Sequence, residues 1–331
     1  MSTIYITEQG ALVKRAGRRL IVVHRNAVIA ERHFRDISRV LLFGNVQMTT
    51  QAIHQCLHHG IQVAYFTLNG HYRGQLLPIS SPNLYIKMAQ ISHWENKPFL
   101  LALACHLVAG KIRGQRYVLQ KRRRGITLKN EFWKECDAQL RTMEERAKTA
   151  ESIGSLRGIE GTAARIYFSA WDELLPEDFP FEKRSRRPAL NGINSALNFA
   201  YTLLLNEVNN ILELRGFDVV LGLYHSVRYG RISLSLDVME LFRPLFVDQW
   251  IISLARQRQI QKKDFHWNEV QGVYFTRDGR KKFLSLYDSW QKEFDLRGKL
   301  EHISSGLEKT FLKGETHAFS TAIQELLSRL L

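Results

Sequence analysis

The stretch Val63-Ala64-Tyr65-Phe66-Thr67-Leu68-Asn69-Gly70-His71-Tyr72-Arg73-Gly74-Gln75-Leu76, running on into Leu77-Pro78-Ile79-Ser80-Ser81-Pro82, decides how the chain is organised. Its first part is two short runs rich in Val, Phe and Tyr on either side of Asn69-Gly70. That dipeptide tolerates the positive φ angles of a tight turn, so the pattern predicts a β-hairpin. Near Pro78 and Pro82 the periodicity changes: before them apolar residues come in short β-branched and aromatic runs, and beyond them they recur every three or four positions.

Working back from the hairpin, residues 3–7, 20–24, 28–32 and 40–43 read as strands, separated by turn formers such as Glu8-Gln9-Gly10. Only 49–59 looks helical in this part, with Thr50 as N-cap and Gly60 as the stop. Working forward, helices are expected at 83–94, 98–122, 127–150, 152–174, 190–213, 233–256, 277–296 and 318–330, with a short hairpin over 264–276. A polar loop, 176–188, carries Lys183-Arg184-Ser185-Arg186-Arg187, and residues 307–331 hold no recognisable motif. The fold class expected is α+β, a small N-terminal β-sheet domain (1–80) followed by a larger all-α-helical domain (81–331).

With 331 residues, 45% of them apolar, the chain can bury a sizeable core. Lys and Arg outnumber Asp and Glu by 47 to 32, a net charge of +15 that suits a polyanionic partner without choosing between DNA and RNA. The longest apolar run, from Phe99 to Gly110, is about half the ~20 residues that span a bilayer. No membrane contact is expected. Met1-Ser2-Thr3-Ile4-Tyr5-Ile6 lacks the features of a secretory signal, and Cys56, Cys105 and Cys136 are odd in number and unclustered. These point to the cytoplasm, without structural disulfides or a cysteine zinc site.

Against this background a few polar residues stand in apolar sequence. Glu160 lies in Gly158-Ile159-Glu160-Gly161, where each glycine costs a helix about 1 kcal/mol relative to alanine and so calls for a close approach by another backbone or a phosphate. His225 follows Gly222-Leu223-Tyr224. Asp237 and Glu240 share one face of an expected helix enclosed by Leu234, Leu236, Val238, Met239, Leu241 and Phe242, so both acids should be paired, for instance with Arg243, or bound to a cation. Singly, each reads as a core or surface residue. Together they supply the carboxylate and imidazole donors that Mg²⁺ or Mn²⁺ accepts in a nuclease.

These residues carry a resemblance. Gly158-Ile159-Glu160-Gly161 with Ala163-Ala164-Arg165-Ile166-Tyr167-Phe168, then Arg186-Arg187-Pro188-Ala189-Leu190-Asn191 running into Asn194-Ser195-Ala196-Leu197-Asn198, then Gly222-Leu223-Tyr224-His225, then Leu236-Asp237-Val238-Met239-Glu240-Leu241-Phe242-Arg243-Pro244, resemble in order the signature blocks of the CRISPR adaptation integrase, the Cas-one family. Leu41-Leu42-Phe43-Gly44-Asn45-Val46-Gln47 resembles that family's N-terminal sheet domain, so the likeness covers nearly the whole chain. It implies a β domain that dimerises and a helical domain that is catalytic. It also implies a metal held by Glu160, His225 and Glu240, with Asp237 supporting the site. The implied partners are double-stranded DNA, as spacer precursor and CRISPR repeat, and a small Cas-two protein, two integrase homodimers flanking one partner dimer. The implied reaction, in a prokaryotic cytoplasm, is insertion of short DNA segments by 3′-hydroxyl transesterification. Alanine at Glu160 or Glu240 is then expected to abolish activity and leave the fold intact.

Two basic stretches are candidates for holding DNA. Lys111, Arg113, Arg116, Lys121, Arg122, Arg123 and Arg124 form a run without an acid, which reads equally well as a solvated helix face; Lys183, Arg184, Arg186 and Arg187 form the second cluster. Two other readings compete: a stand-alone structure-specific nuclease of repair or recombination, and a non-catalytic DNA-binding scaffold in which the four site residues are an internal ion-pair cluster.

Overall fold

The computed structural model describes residues 2–78, 83–123, 130–268 and 272–330. The chain divides into two compact units, Met1–Ser81 with Arg277–Asp288, and Pro82–Thr276 with Ser289–Leu331. A linear division at residue 80 makes no provision for Arg277–Asp288. That segment joins the first unit because Arg277 and Lys281 both pair with Glu8, and Arg280 donates to the Leu68 carbonyl at 2.7 Å.

The first unit holds strands β1 (Ser2–Ile6), β2 (Leu12–Ala16), β3 (Arg19–His24), β4 (Ala27–His33), β5 (Ile37–Phe43), β6 (Gln47–Met48), β7 (Gln62–Phe66) and β8 (Tyr72–Leu76), and helix α1 (Thr50–His58). They form two four-stranded sheets, ordered β1-β5-β7-β8 and β4-β3-β2-β6. β7 and β8 are the hairpin expected around Asn69-Gly70, with Gly70 at φ +85°. Inward side chains of both sheets, among them Ile6, Val13, Leu20, Val22, Val40, Leu42 and Val63, make one core with Phe34 and Cys56. β2 and β6 escaped sequence reading because Lys14-Arg15 interrupts one and the other is two residues long. The N-cap of α1 is Thr49, not Thr50: the Thr49 hydroxyl accepts from the Ala52 N–H.

The second unit is built of α2 (Leu84–His93), α3 (Lys97–Arg122), α4 (Asn130–Lys148), α5 (Ile153–Ser169), α6 (Gly192–Leu214), α7 (Ser233–Phe242), α8 (Gln249–Arg256), the last turn of α9 (Arg277–Glu293), α10 (Leu296–Lys313) and α11 (His317–Leu330). A small hairpin, β9 (Phe265–Asn268) with β10 (Gly272–Phe275), completes it. An α+β architecture of sheet unit then helices is what the periodicity predicts. Three local differences have physical causes. The helix expected over 233–256 is interrupted by a π turn at Arg243–Asp248, where Pro244 has no N–H to give. The helix expected to 174 ends at Ser169, followed by one 3₁₀ turn. α10, which the sequence reading missed, starts at Asp295, whose carboxylate accepts from the Gly298 N–H.

α3 is the centre of this unit, contacting α4, α5, α7, α8 and α11. Two of its glycines set how closely they come. A Cβ on Gly110 would lie 2.8 Å from Ile323 and 2.9 Å from Leu241, and one on Gly114 would lie 3.0 Å from Pro244. The residue between them, Lys111, is thereby pressed against the acid-bearing helices. Among the described residues, no helix is long and apolar enough to cross a membrane.

Candidate active site

Four segments of the second unit bring charged groups to one place. α5 begins at Ser152, whose hydroxyl caps it by accepting from the Ser155 N–H, and carries Glu160 two turns further on. α7 carries Asp237 and Glu240, the loop before it carries Tyr224 and His225, and α3 brings Lys111.

Asp237 is fully buried and its carboxylate is wrapped by one turn of backbone. Oδ2 accepts from the N–H groups of Leu223 (2.6 Å) and Tyr224 (3.0 Å), and Oδ1 accepts from the N–H of His225 (3.0 Å) and faces its Nδ1 at 2.5 Å. The turn closes this tightly because residue 222 is glycine: a Cβ there would stand 2.6 Å from the His225 carbonyl oxygen and 3.0 Å from Asp237 Oδ2. Burial raises the Asp237 carboxyl above its ordinary value, and these hydrogen bonds pull against that rise.

Glu160 and Glu240 meet on Lys111. The Lys111 ammonium pairs with Glu160 Oε1 and lies 2.7 Å from Glu240 Oε2. Glu160 Oε2 accepts from the Tyr224 hydroxyl at 2.6 Å, and Glu240 Oε1 lies 2.7 Å from an Arg243 nitrogen. Burial alone would raise the Glu240 carboxyl; Arg243 and Lys111 outweigh it and hold Glu240 well below the carboxylate range. Burial likewise favours a neutral Lys111, but Glu240 and Glu160 keep its ammonium above the usual lysine value. His225 is close enough to Glu240 to act on it electrostatically.

Beside the acids lies a cavity of about 220 Å³, walled by Lys111, Glu160, Arg184, Arg186, Tyr201, Arg243 and Asp248 among others. In its wall Asp248 accepts from the hydroxyls of Tyr167 (3.0 Å) and Tyr201, and burial moves its carboxyl up to about 6. The guanidiniums of Arg243 and Arg184 lie 4.9 Å and 5.4 Å from the Tyr201 ring centre.

Several sequence expectations change here. Among the described residues, no three His, Cys, Asp or Glu side chains are drawn into a metal-holding group. Glu160 and Glu240 converge on a lysine ammonium, while the Nδ1 of His225 turns to Asp237. No other part of the described chain lies within 4 Å of a Cβ built on Gly158 or Gly161, so the glycines leave a bare helix face rather than accommodating a neighbour. The basic run on α3 is not one surface: Lys111 belongs to the acids, Arg116 is spent on Asp137 (3.2 Å) and Glu144 (2.8 Å), and Arg122 and Arg123 are half-buried. Arg124 lies outside the described residues. In the second cluster Lys183, Arg186 and Arg187 are exposed, but Arg184 is anchored to Asn194 (2.9 Å) and Asn198 (2.6 Å).

Sequence reasoning overlooked Lys111, Tyr224, Tyr201 and Asp248 as parts of the site. For Lys111 a signal existed: Ala104, Val108, Lys111, Gln115 and Val118 follow the buried period of α3.

A sequence model of the family described as CRISPR associated protein Cas1 matches residues 4–289. The chain is 35% identical over 271 residues to the CRISPR-associated endonuclease Cas1 3 of Thermus thermophilus, covering 81% of this chain and 79% of that one. Its fold is similar to a solved Cas1 protein of Thermotoga maritima, with a TM-score of 0.83 and 25% identity over 95% of this chain and 98% of the other. It is similar also to part of a structure described as a Cas6-RT-Cas1–Cas2 complex, with a TM-score of 0.81 and 25% identity over 96% of this chain and 36% of that one.

Proposed function

The chain belongs to the Cas1 family of CRISPR-associated proteins, and from that premise we propose that Glu160, His225 and Glu240 hold one Mg²⁺ or Mn²⁺ ion at which DNA strands are cut and joined. The protein is an enzyme, an endonuclease and integrase of CRISPR spacer acquisition. The observation that carries the residue assignment is the meeting of Glu160 and Glu240 on a single buried cation. Two carboxylates that share an ammonium can share a divalent ion, and hard oxygen donors suit Mg²⁺ and Mn²⁺. His225 fits as the third donor because Asp237 engages Nδ1, which fixes the ring and leaves Nε2 as the nitrogen to offer.

A divalent ion bound there would activate the attacking hydroxyl and neutralise charge on the departing oxygen. The protein's own groups do the rest. Asp237 holds the imidazole in one tautomer, Tyr224 orients Glu160, and Arg243 keeps Glu240 ionised. In strand joining, the 3′-hydroxyl of the incoming DNA forms a new bond to phosphorus as the old phosphorus–oxygen bond breaks, and the proton passes from one hydroxyl to the other. The number of phosphodiesters is unchanged, so no ATP is consumed.

DNA as spacer precursor and repeat, a homodimer, and a complex of two such dimers with one dimer of a small Cas-two partner belong to the same proposal. The likeness to a chain of a Cas1–Cas2 complex supports the partner. The edge position of β4, with Val28 and Ile29 exposed, supports pairing through the sheet unit. Buried free cysteines agree with work in a reducing prokaryotic cytoplasm. The ion-pair cluster that a scaffold would need is present, but its members are the same residues that the resemblance to this family implies as a metal site.

The test is incubation of a labelled short duplex with a supercoiled repeat-bearing plasmid, with and without the partner, in Mn²⁺ or Mg²⁺. Joined product that disappears in Glu160→Gln supports the assignment. Undiminished joining in that variant rules it out.

A further inference from the structure

Lys111 has no part in the chemistry proposed above, yet it holds the centre of the site. Its side chain is only 9% exposed, and its ammonium lies where one oxygen of Glu160 and one of Glu240 come together. The other oxygens of the same carboxylates are engaged elsewhere, Glu160 Oε2 by the Tyr224 hydroxyl and Glu240 Oε1 by Arg243. The oxygens turned toward Lys111 are therefore the pair left to share a cation.

The placement is built into the fold. Gly110 and Gly114 flank Lys111 on α3, and their missing side chains let α7 and the π turn come close enough for Glu240 to be reached. A buried lysine is costly unless fully paired. Lysine is also a point charge on a flexible four-carbon stem, able to withdraw where a forked guanidinium would be locked. It has room to do so, because the cavity beside the acids is bounded by Lys111 itself.

Resting on the reading that Glu160 and Glu240 bind a divalent ion, we infer that Lys111 is a built-in competitor for that ion: its ammonium fills the shared position between the carboxylates and moves into the adjoining cavity when the ion enters. The exchange has two consequences. The acids are held converged and charge-balanced before the ion arrives, so this pair of carboxylates need not be brought together to bind it. Affinity is also lowered, because only the fraction of molecules with Lys111 withdrawn can bind the ion. The ion concentration at which the enzyme switches on is thus set by a residue that is not a ligand.

The experiment is calorimetric titration of MnCl2 into the full chain and into Lys111→Gln, with Glu160→Gln as the control that loses a ligand. Relief of competition should tighten Mn²⁺ binding in Lys111→Gln by about tenfold or more, and should enlarge the rise in melting temperature that saturating Mn²⁺ produces. Binding that is unchanged or weaker overturns the competitor role and leaves the metal reading standing. Absence of Mn²⁺ binding in both the parent and Lys111→Gln overturns both. Should Lys111→Gln not fold, reductive methylation of the parent keeps the question open to measurement. Lys111 should be protected without Mn²⁺ and modified severalfold faster with it, and equal modification under the two conditions overturns the proposal.

Discussion

Asp237 Oδ1 lies 2.5 Å from His225 Nδ1 and 3.0 Å from the backbone N–H of the same residue, so one carboxylate oxygen grips His225 at both its ring and its main chain. The imidazole cannot rotate without breaking the grip. Asp237→Asn keeps the size but puts an N–H₂ group within reach of Nδ1, favouring the wrong tautomer. Mn²⁺ affinity and strand cleavage should both fall by roughly ten- to a hundredfold. A variant with parental affinity and rate would show that Asp237 serves only the backbone turn.

The two glutamates should behave differently on removal. Sequence alone suggested that alanine at either position spares the fold. Glu240, however, is buried against Lys111 and Arg243, whereas Glu160 is partly exposed. Glu240→Ala leaves two buried cations short of a partner and should cost about 3–5 kcal/mol in urea unfolding, beside its loss of activity. Glu160→Gln should lose activity with little change in the urea midpoint. Equal midpoints for the two variants would contradict the ion-pair geometry.

Asp248 supplies a pH dependence whose sign is fixed. Burial lifts its carboxyl from 3.8 to about 6, so between those values the folded protein binds more protons than the unfolded chain. Its contribution to stability is therefore full below pH 4, declines as pH rises through about 6, and is level above that. Melting temperatures measured across this range should show the decline in the parent and lack that component in Asp248→Asn. A parallel pair of curves would mean that Asp248 titrates normally.

The exposed Lys183, Arg186 and Arg187 are expected to contact DNA through phosphates. Replacing all three with alanine should weaken binding to unrelated duplexes equally and reduce the slope of log affinity against log salt by roughly 3. Arg184→Ala should instead lower thermal stability, since its guanidinium ties the loop to Asn194 and Asn198. Unchanged salt dependence in the triple variant would assign the loop to the fold alone.

How far the chain could be read follows from where its information is local. Asn69-Gly70 announces a hairpin because the left-handed φ that the turn takes at Gly70 is one that glycine adopts freely. The four acid and histidine positions drew notice because charge in apolar sequence is conspicuous, but singly each read as a core or surface residue, and it was the family resemblance that gathered them into one proposed site. Lys111 was hidden by its neighbours: beside Arg113 and Arg116 it reads as one more solvated cation, and only its place in the buried period of α3 sets it apart from them. α10 was missed because Phe294 and Leu296 bridge the break between it and α9 in the apolar pattern, and a left-handed Asp295 is not written in its neighbours. The interruption after α7 lay in plain view at Pro244, yet the apolar pattern runs straight through it.

The final helix, α11, bears no signature of its own, yet its Ile323 rests in the notch at Gly110, one residue from Lys111. This helix thus buttresses α3 from behind the stretch that carries the lysine. Trimming it as a dispensable tail would unseat the lysine and the acids opposite it, and the damage would register as lost catalysis in a protein whose signature residues were all still there.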